Sequence, residues 1–136
     1  MSTVKSAKSV GRKDVSPIVE VIVEKSPCMA HSKFPLEAMV RALVWAEVEG
    51  ISSMGRLAFL LQRVASLALS LGFSSHLHYL NPHQHYDIDV PYSLLVTPTR
   101  VTLERFSHSL PPKAGKLIRE AAMDVRETIS KGAIEQ

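Results

Sequence analysis

The sequence predicts a single α+β domain, a mostly antiparallel sheet packed against two or three helices, on three observations. The stretch Pro17–Glu24 (PIVEVIVE) is β-branched through its centre and alternates like a strand. Two others, Pro35–Val44 and Ile51–Phe73, repeat apolar residues at helical steps. After Phe73 the pattern turns to short alternating runs broken by prolines. At 136 residues, 46% hydrophobic and 21% charged, the chain suits one core burying roughly two-thirds of its unfolded surface. The single Cys28 excludes an intramolecular disulfide and a multi-cysteine zinc site, and fits a reducing, intracellular compartment. Arg56 and Arg63 interrupt the longest apolar run before it reaches the roughly 18 residues of a membrane span. Neither a membrane partner nor a secretory signal is expected.

Charge divides the chain. Lys5, Lys8, Arg12 and Lys13 occupy the first 13 residues with no acid among them. The remaining positions hold 12 basic and 13 acidic residues, a net of −1, so the overall +3 belongs to the N-terminus. Residues 1–16 are therefore expected as a disordered basic tail, either solvated or serving as a nucleic-acid-binding arm. Residues 17–108 form the expected α+β core, and residues 109–136 a C-terminal helix.

In chain order, Val19, Val21 and Val23 would share one face of the first strand, opposite Ile18, Glu20, Ile22 and Glu24. A loop with Cys28 and His31 follows, lacking the third group that would orient a thiolate pair. Pro35 opens a helix striped by Leu36, Met39, Val40, Leu43 and Val44, with Trp45 beside the stripe as a core anchor. Residues 46–50 either continue that helix to a turn at Gly50 or form a short strand. From Ile51 to Phe73, the apolar residues from Leu57 to Leu71 recur along one helical face, while Arg56, Arg63 and Ser70 lie seven apart on the other. Ser52 or Ser53 caps its start and Gly72 its end. Residues 76–80 and 86–90 alternate as strands, and 94–96 with 101–106 make a hairpin about Thr97–Arg100. Pro111 and Pro112 open the last helix, striped by Leu117, Ile118, Ala121, Val125 and Ile129 and ended by Gly132. The expected core includes Val21, Val40, Leu43, Leu60, Leu61, Val64 and Leu103.

Two constellations bear on chemistry. His76 with His78 and His83 with His85, followed by Asp87 and Asp89, place imidazoles two apart, on one face of a strand, where each pair can chelate a metal. The spacing matches no zinc-enzyme signature, so no metal is assigned and exposed histidines are the plain reading. Gly55 and Arg56 stand at a helix N-terminus, where free N–H groups and the dipole suit a phosphate. No complete catalytic signature is present, so neither enzymatic activity nor a cofactor is expected.

The run Ile51-Ser-Ser-Met-Gly55-Arg56, followed by an apolar helix ending at Gly72-Phe73, resembles the second-strand-to-second-helix segment of Alba proteins. It is also similar to the Alba-type small subunits of ribonuclease P. Lys33-Phe34-Pro35-Leu36 is similar to the family's lysine–proline opening of its first helix. The strands at 17–24 and 100–106 would be the first and last of the family's four. The resemblance implies an Alba-like fold and a dimer that binds RNA or DNA. In it, Lys33, Gly55 and Arg56 would meet phosphates, with Arg100 on a hairpin and Lys5, Lys8, Arg12 and Lys13 adding counterion release. The alternatives are a non-enzymatic oligomeric interaction or assembly protein, favoured by the near-neutral body, and a metal-binding protein using His76, His78, His83 and His85.

Overall fold

Trp45 marks the centre of the molecule. In the computed structural model, which describes residues 3–26, 34–74 and 96–135, this indole is 1% exposed and sits in a helix buried nearly all round. That helix is α3, Leu36–Glu49, and it is flanked by α1 (Thr3–Gly11), α2 (Ser16–Lys25), α4 (Met54–Arg63), α5 (Ala65–Leu71), α6 (Arg100–Ser109) and α7 (Pro112–Glu135). α3 packs against α1, α2, α5 and α7, while α4 packs on α6 and α5. The fold is thus mostly α, and the α+β sheet with its Alba-like arrangement is corrected: among the described residues no strand forms.

Each misread segment has a physical reason. The β-branched run 17–24 is α2, because Val15, Ile18 and Ile22 also fall at helical steps and all three are buried against its neighbours. β-Propensity is a weak preference that such packing overrides. Pro17 fits the first turn, where its missing N–H costs nothing. Residues 46–49 continue α3, and Gly50 closes it in the left-handed conformation at φ 71°, so no strand leads into α4. Residues 101–106 form α6 instead of a hairpin strand; Thr99 caps it by accepting from the Thr102 N–H at 3.3 Å, and Leu103 and Phe106 turn inward. α7 runs through Gly132 to Glu135. The expected strands at 76–80 and 86–90 lie outside the described residues.

The basic N-terminal segment is also corrected. Residues 3–11 form α1, with Ala7, Val10 and Ser6 buried against α5, α3 and α7. Trp45 Nε1 donates to Ser6 Oγ at 3.0 Å, and that hydroxyl donates to Glu49 Oε1 at 3.1 Å, so the indole N–H and the Ser6 hydroxyl are both paired. Gly11 permits the closest contact: a Cβ there would lie 2.2 Å from the Ser70 carbonyl oxygen of α5. Arg41 of α3 donates through Nη2 to the Lys13 carbonyl at 3.4 Å, fixing the α1–α2 link. Arg126 of α7 donates to the Val48 carbonyl at 3.1 Å and to that of Glu47, tying the last helix to the C-terminal carbonyls of α3.

The segment 51–73 is helical but not one helix. It breaks at Val64, which is extended at φ −111° and ψ 91°, and the two halves are bent by 106°. The break lets one apolar stripe serve two sets of partners: α4, with Leu57 and Leu61 buried, packs on α6, and α5, with Leu67, Ala68 and Leu71 buried, packs on α1 and α3. Among the described residues no single helix is long and apolar enough to cross a membrane.

Candidate nucleic-acid interface

The described cations among the candidate residues fall into two groups on different helices. Lys5, Lys8 and Arg12 follow the helical steps of three and four, and each is exposed. The Arg12 N–H still bonds to the Lys8 carbonyl at 3.1 Å, so the helical register extends to it. The three side chains therefore make one stripe on the face of α1 opposite Ala7 and Val10. None of them forms an ion pair among the described residues. Lys13 differs: its Nζ lies 3.1 Å from Asp124 Oδ2 of α7, so its charge is spent on holding the α1–α2 link to the last helix.

The second group surrounds the first turns of α4 and α6. Ser53 caps α4 by accepting from the Arg56 N–H at 3.2 Å, and the Arg56 side chain is exposed. Gly55 lies against the stem of Arg100, whose Cδ is 3.2 Å from where a Cβ would stand. Arg100 Nη1 pairs with Glu104 Oε1 at 3.0 Å one turn along α6, which offsets part of the charge it offers an anion. A groove of about 510 Å³ runs between Gly55, Phe59 and Gln62 on one side and Val96–Arg100 on the other. The Arg63 guanidinium stands over the Phe59 ring, 5.1 Å from its centroid. The structure thus joins Gly55 with Arg100, and sets Lys5, Lys8 and Arg12 apart from them on α1.

Lys33, His76, His78, His83 and His85 lie outside the described residues, so the convergence of Lys33 with Arg56 and the metal-chelating alternative have no geometry here. Among the described residues no three His, Cys, Asp or Glu side chains come together as a metal site. What sequence reasoning missed is the order within the tail. Its four cations read as an unstructured cluster, yet the 5–8–12 spacing, with Ala7 and Val10 between, was the signal of a helix with one cationic face.

Asp14 contributes local electrostatics at the start of α2. Its carboxylate accepts from the Ser16 hydroxyl and from the Ser16 N–H at 3.0 Å, which holds its pKa below the ordinary 3.8. Arg41 and Lys13 act in the same direction more weakly.

Comparison with protein-family models, with curated proteins and with solved structures found no match to this chain.

Proposed function

We propose that this is a non-enzymatic nucleic-acid-binding protein that grips the phosphate backbone of RNA or DNA through α1. The observation that carries the reading is the stripe of Lys5, Lys8 and Arg12, exposed, without an ion pair among the described residues, and set along a helix whose other face is built into the core. A rigid row of cations meets a row of phosphates without losing the ordering entropy that a floppy tail would. Among the described side chains of α1 the apolar ones, Ala7 and Val10, are already buried, and they offer no apolar face to a lipid surface. Such contacts read charge and backbone and carry no base sequence.

Three phosphate contacts give a slope of about −2.7 in log K against log salt, or about 40-fold weaker binding between 50 and 200 mM salt. Fluorescence anisotropy with a labelled RNA and a labelled DNA duplex at several salt concentrations measures this slope. The triple change Lys5→Ala, Lys8→Ala and Arg12→Ala should flatten it nearly to zero. Wild-type protein that leaves both probes unbound at low salt would refute the reading. A second reading, an oligomeric assembly protein, draws support from Phe59 and Val101, large apolar side chains about half exposed on the neighbouring helices α4 and α6. It is tested by sedimentation equilibrium, where a mass of one chain over the micromolar range rejects it.

A further inference from the structure

We propose that the groove between α4 and the segment leading into α6 holds an unpaired base of a single-stranded nucleic acid, packed against Phe59. The groove measures about 510 Å³, within the roughly 300–1,000 Å³ common to small-ligand sites. Its lining mixes two chemistries. Ala58, Phe59 and Pro98 supply apolar surface, while Gln62 and Thr97 bring an amide and a hydroxyl to the same space. Phe59 is 52% exposed, so its ring keeps area for a ligand to cover. The Arg63 guanidinium stands 5.1 Å from the ring centroid, which steadies the ring and sets a positive charge beside it.

Charge narrows the ligand. Among the described residues no acidic side chain lines the groove, and none occurs in the sequence from Gly50 to Ser75. At about 100° per residue along α4, Arg56 and Arg63 lie within about 20° of each other and about 40–60° from Phe59, so both flank the ring. Neither forms an ion pair among the described residues. Arg100 lines the opposite wall, part of its charge offset by Glu104. A fitting ligand therefore has a flat face for the ring, a hydrogen-bonding edge for Gln62 and Thr97, and an anionic link for the arginines. A nucleotide has all three, whereas an apolar peptide would leave the arginines unmatched. In a duplex the base is stacked on both faces and paired along its edge, so only a single strand presents it. The proposal rests on the α1 reading for the rest of the strand. Twelve nucleotides at about 3.4 Å each span about 40 Å, more than the ~30 Å diameter of a small domain, and can reach both the groove and the stripe. The stripe alone is indifferent to bases; the groove adds a preference for strands whose bases are free.

The experiment is fluorescence anisotropy of the full chain with three labelled probes: a 12-mer of deoxythymidine, an abasic 12-mer with the same number of phosphates, and a 12-base-pair duplex. Base–aromatic stacking should make the thymidine strand at least about fivefold tighter than the abasic one. Phe59→Ala and Phe59→Leu should bring the two strands to equal affinity, and Phe59→Tyr, which keeps the ring, should retain the ratio. Phe59→Leu preserves apolar bulk, so it separates stacking from plain apolar contact. Should Phe59→Ala melt well below wild type, Phe59→Leu decides in its place. Equal affinity of wild type for the thymidine and abasic strands overturns the proposal, and so does a ratio that Phe59→Leu leaves unchanged. The duplex keeps the two readings apart. A duplex that binds through Lys5, Lys8 and Arg12, with no advantage of thymidine over abasic strand, leaves the α1 reading standing and ends this one. Failure of all three probes to bind ends both. A dimer in sedimentation that Phe59→Leu turns into a monomer, with the ratio unchanged, would assign the groove to a second copy of the chain and overturn the proposal.

Discussion

Gly11 carries a constraint that no neighbour of α1 shares. The Ser70 carbonyl oxygen is backbone and cannot rotate away, and an added methyl would meet it at 2.2 Å. Alanine would gain up to about 1 kcal/mol in helix propensity. Forcing α1 and α5 apart costs about 1–3 kcal/mol, as overpacked interfaces do. The second effect is larger, so Gly11→Ala should destabilise by about 1–2 kcal/mol, read from its urea midpoint; a midpoint above wild type would mean that α5 gives way freely. Asp14 sets a pH dependence of known sign. Its folded pKa lies below the unfolded value near 3.8, because both bonds from Ser16 favour the carboxylate. Its contribution is therefore fully present above that value and is lost as pH falls through the lower, folded pKa. NMR titration of the Asp14 carboxyl should find its midpoint under 3.8, and Ser16→Ala should raise it.

At the scale of elements, Leu61 tests whether the stripe of α4 is a true core face. It is wholly buried, and Leu61→Ala should cost about 2–4 kcal/mol through lost burial and a cavity, measured by chemical unfolding. A loss near zero would show that α4 can close the gap by sliding on α6. The same stripe shows what was legible in the chain and what was not. Its spacing declares a helix and an inward face, and Leu57, Leu61, Leu67 and Leu71 are indeed buried; Leu60 and Val64 only partly are. The corner at Val64 is invisible in sequence, since a straight helix uses the same register. The start and inward face of α3 were readable from Pro35 and the apolar stripe, whereas its end was not, since residues 46–50 suit a helix closing at Gly50 or a short strand alike. α2 was not, because Val19, Val21 and Val23 alternate while Val15, Ile18 and Ile22 step helically, and only the neighbours choose between the two periods. α6 hid behind Thr99, a good helix cap that served equally well as a turn residue. Of the candidate site, the cations were legible as residues; their arrangement on one face required knowing that residues 3–11 are helical.

For the whole molecule, α1 decides whether charge and stability are separable. It touches α3, α5 and α7, and it supplies the acceptor for the Trp45 indole and the apolar contacts of Ala7 and Val10. Deleting residues 1–13 would uncover the side of α3 and the inner face of α5 and take from Trp45 Nε1 its acceptor. Each of these losses is on the order of 1–3 kcal/mol, and together they approach the 5–15 kcal/mol by which such domains are stable. The truncated chain should therefore unfold at a much lower temperature or lose a cooperative transition altogether. Lys5, Lys8 and Arg12 instead point to solvent, so their combined replacement by alanine should leave the melting temperature within a few degrees of wild type. Thermal melts followed by circular dichroism, run beside polyanion titrations on both proteins, make the comparison. The alanine variant should keep its fold and lose binding, while the deletion should lose both. A deletion that melts like wild type would mean that α1 is dispensable to the core, and the stripe would then sit on a detachable arm.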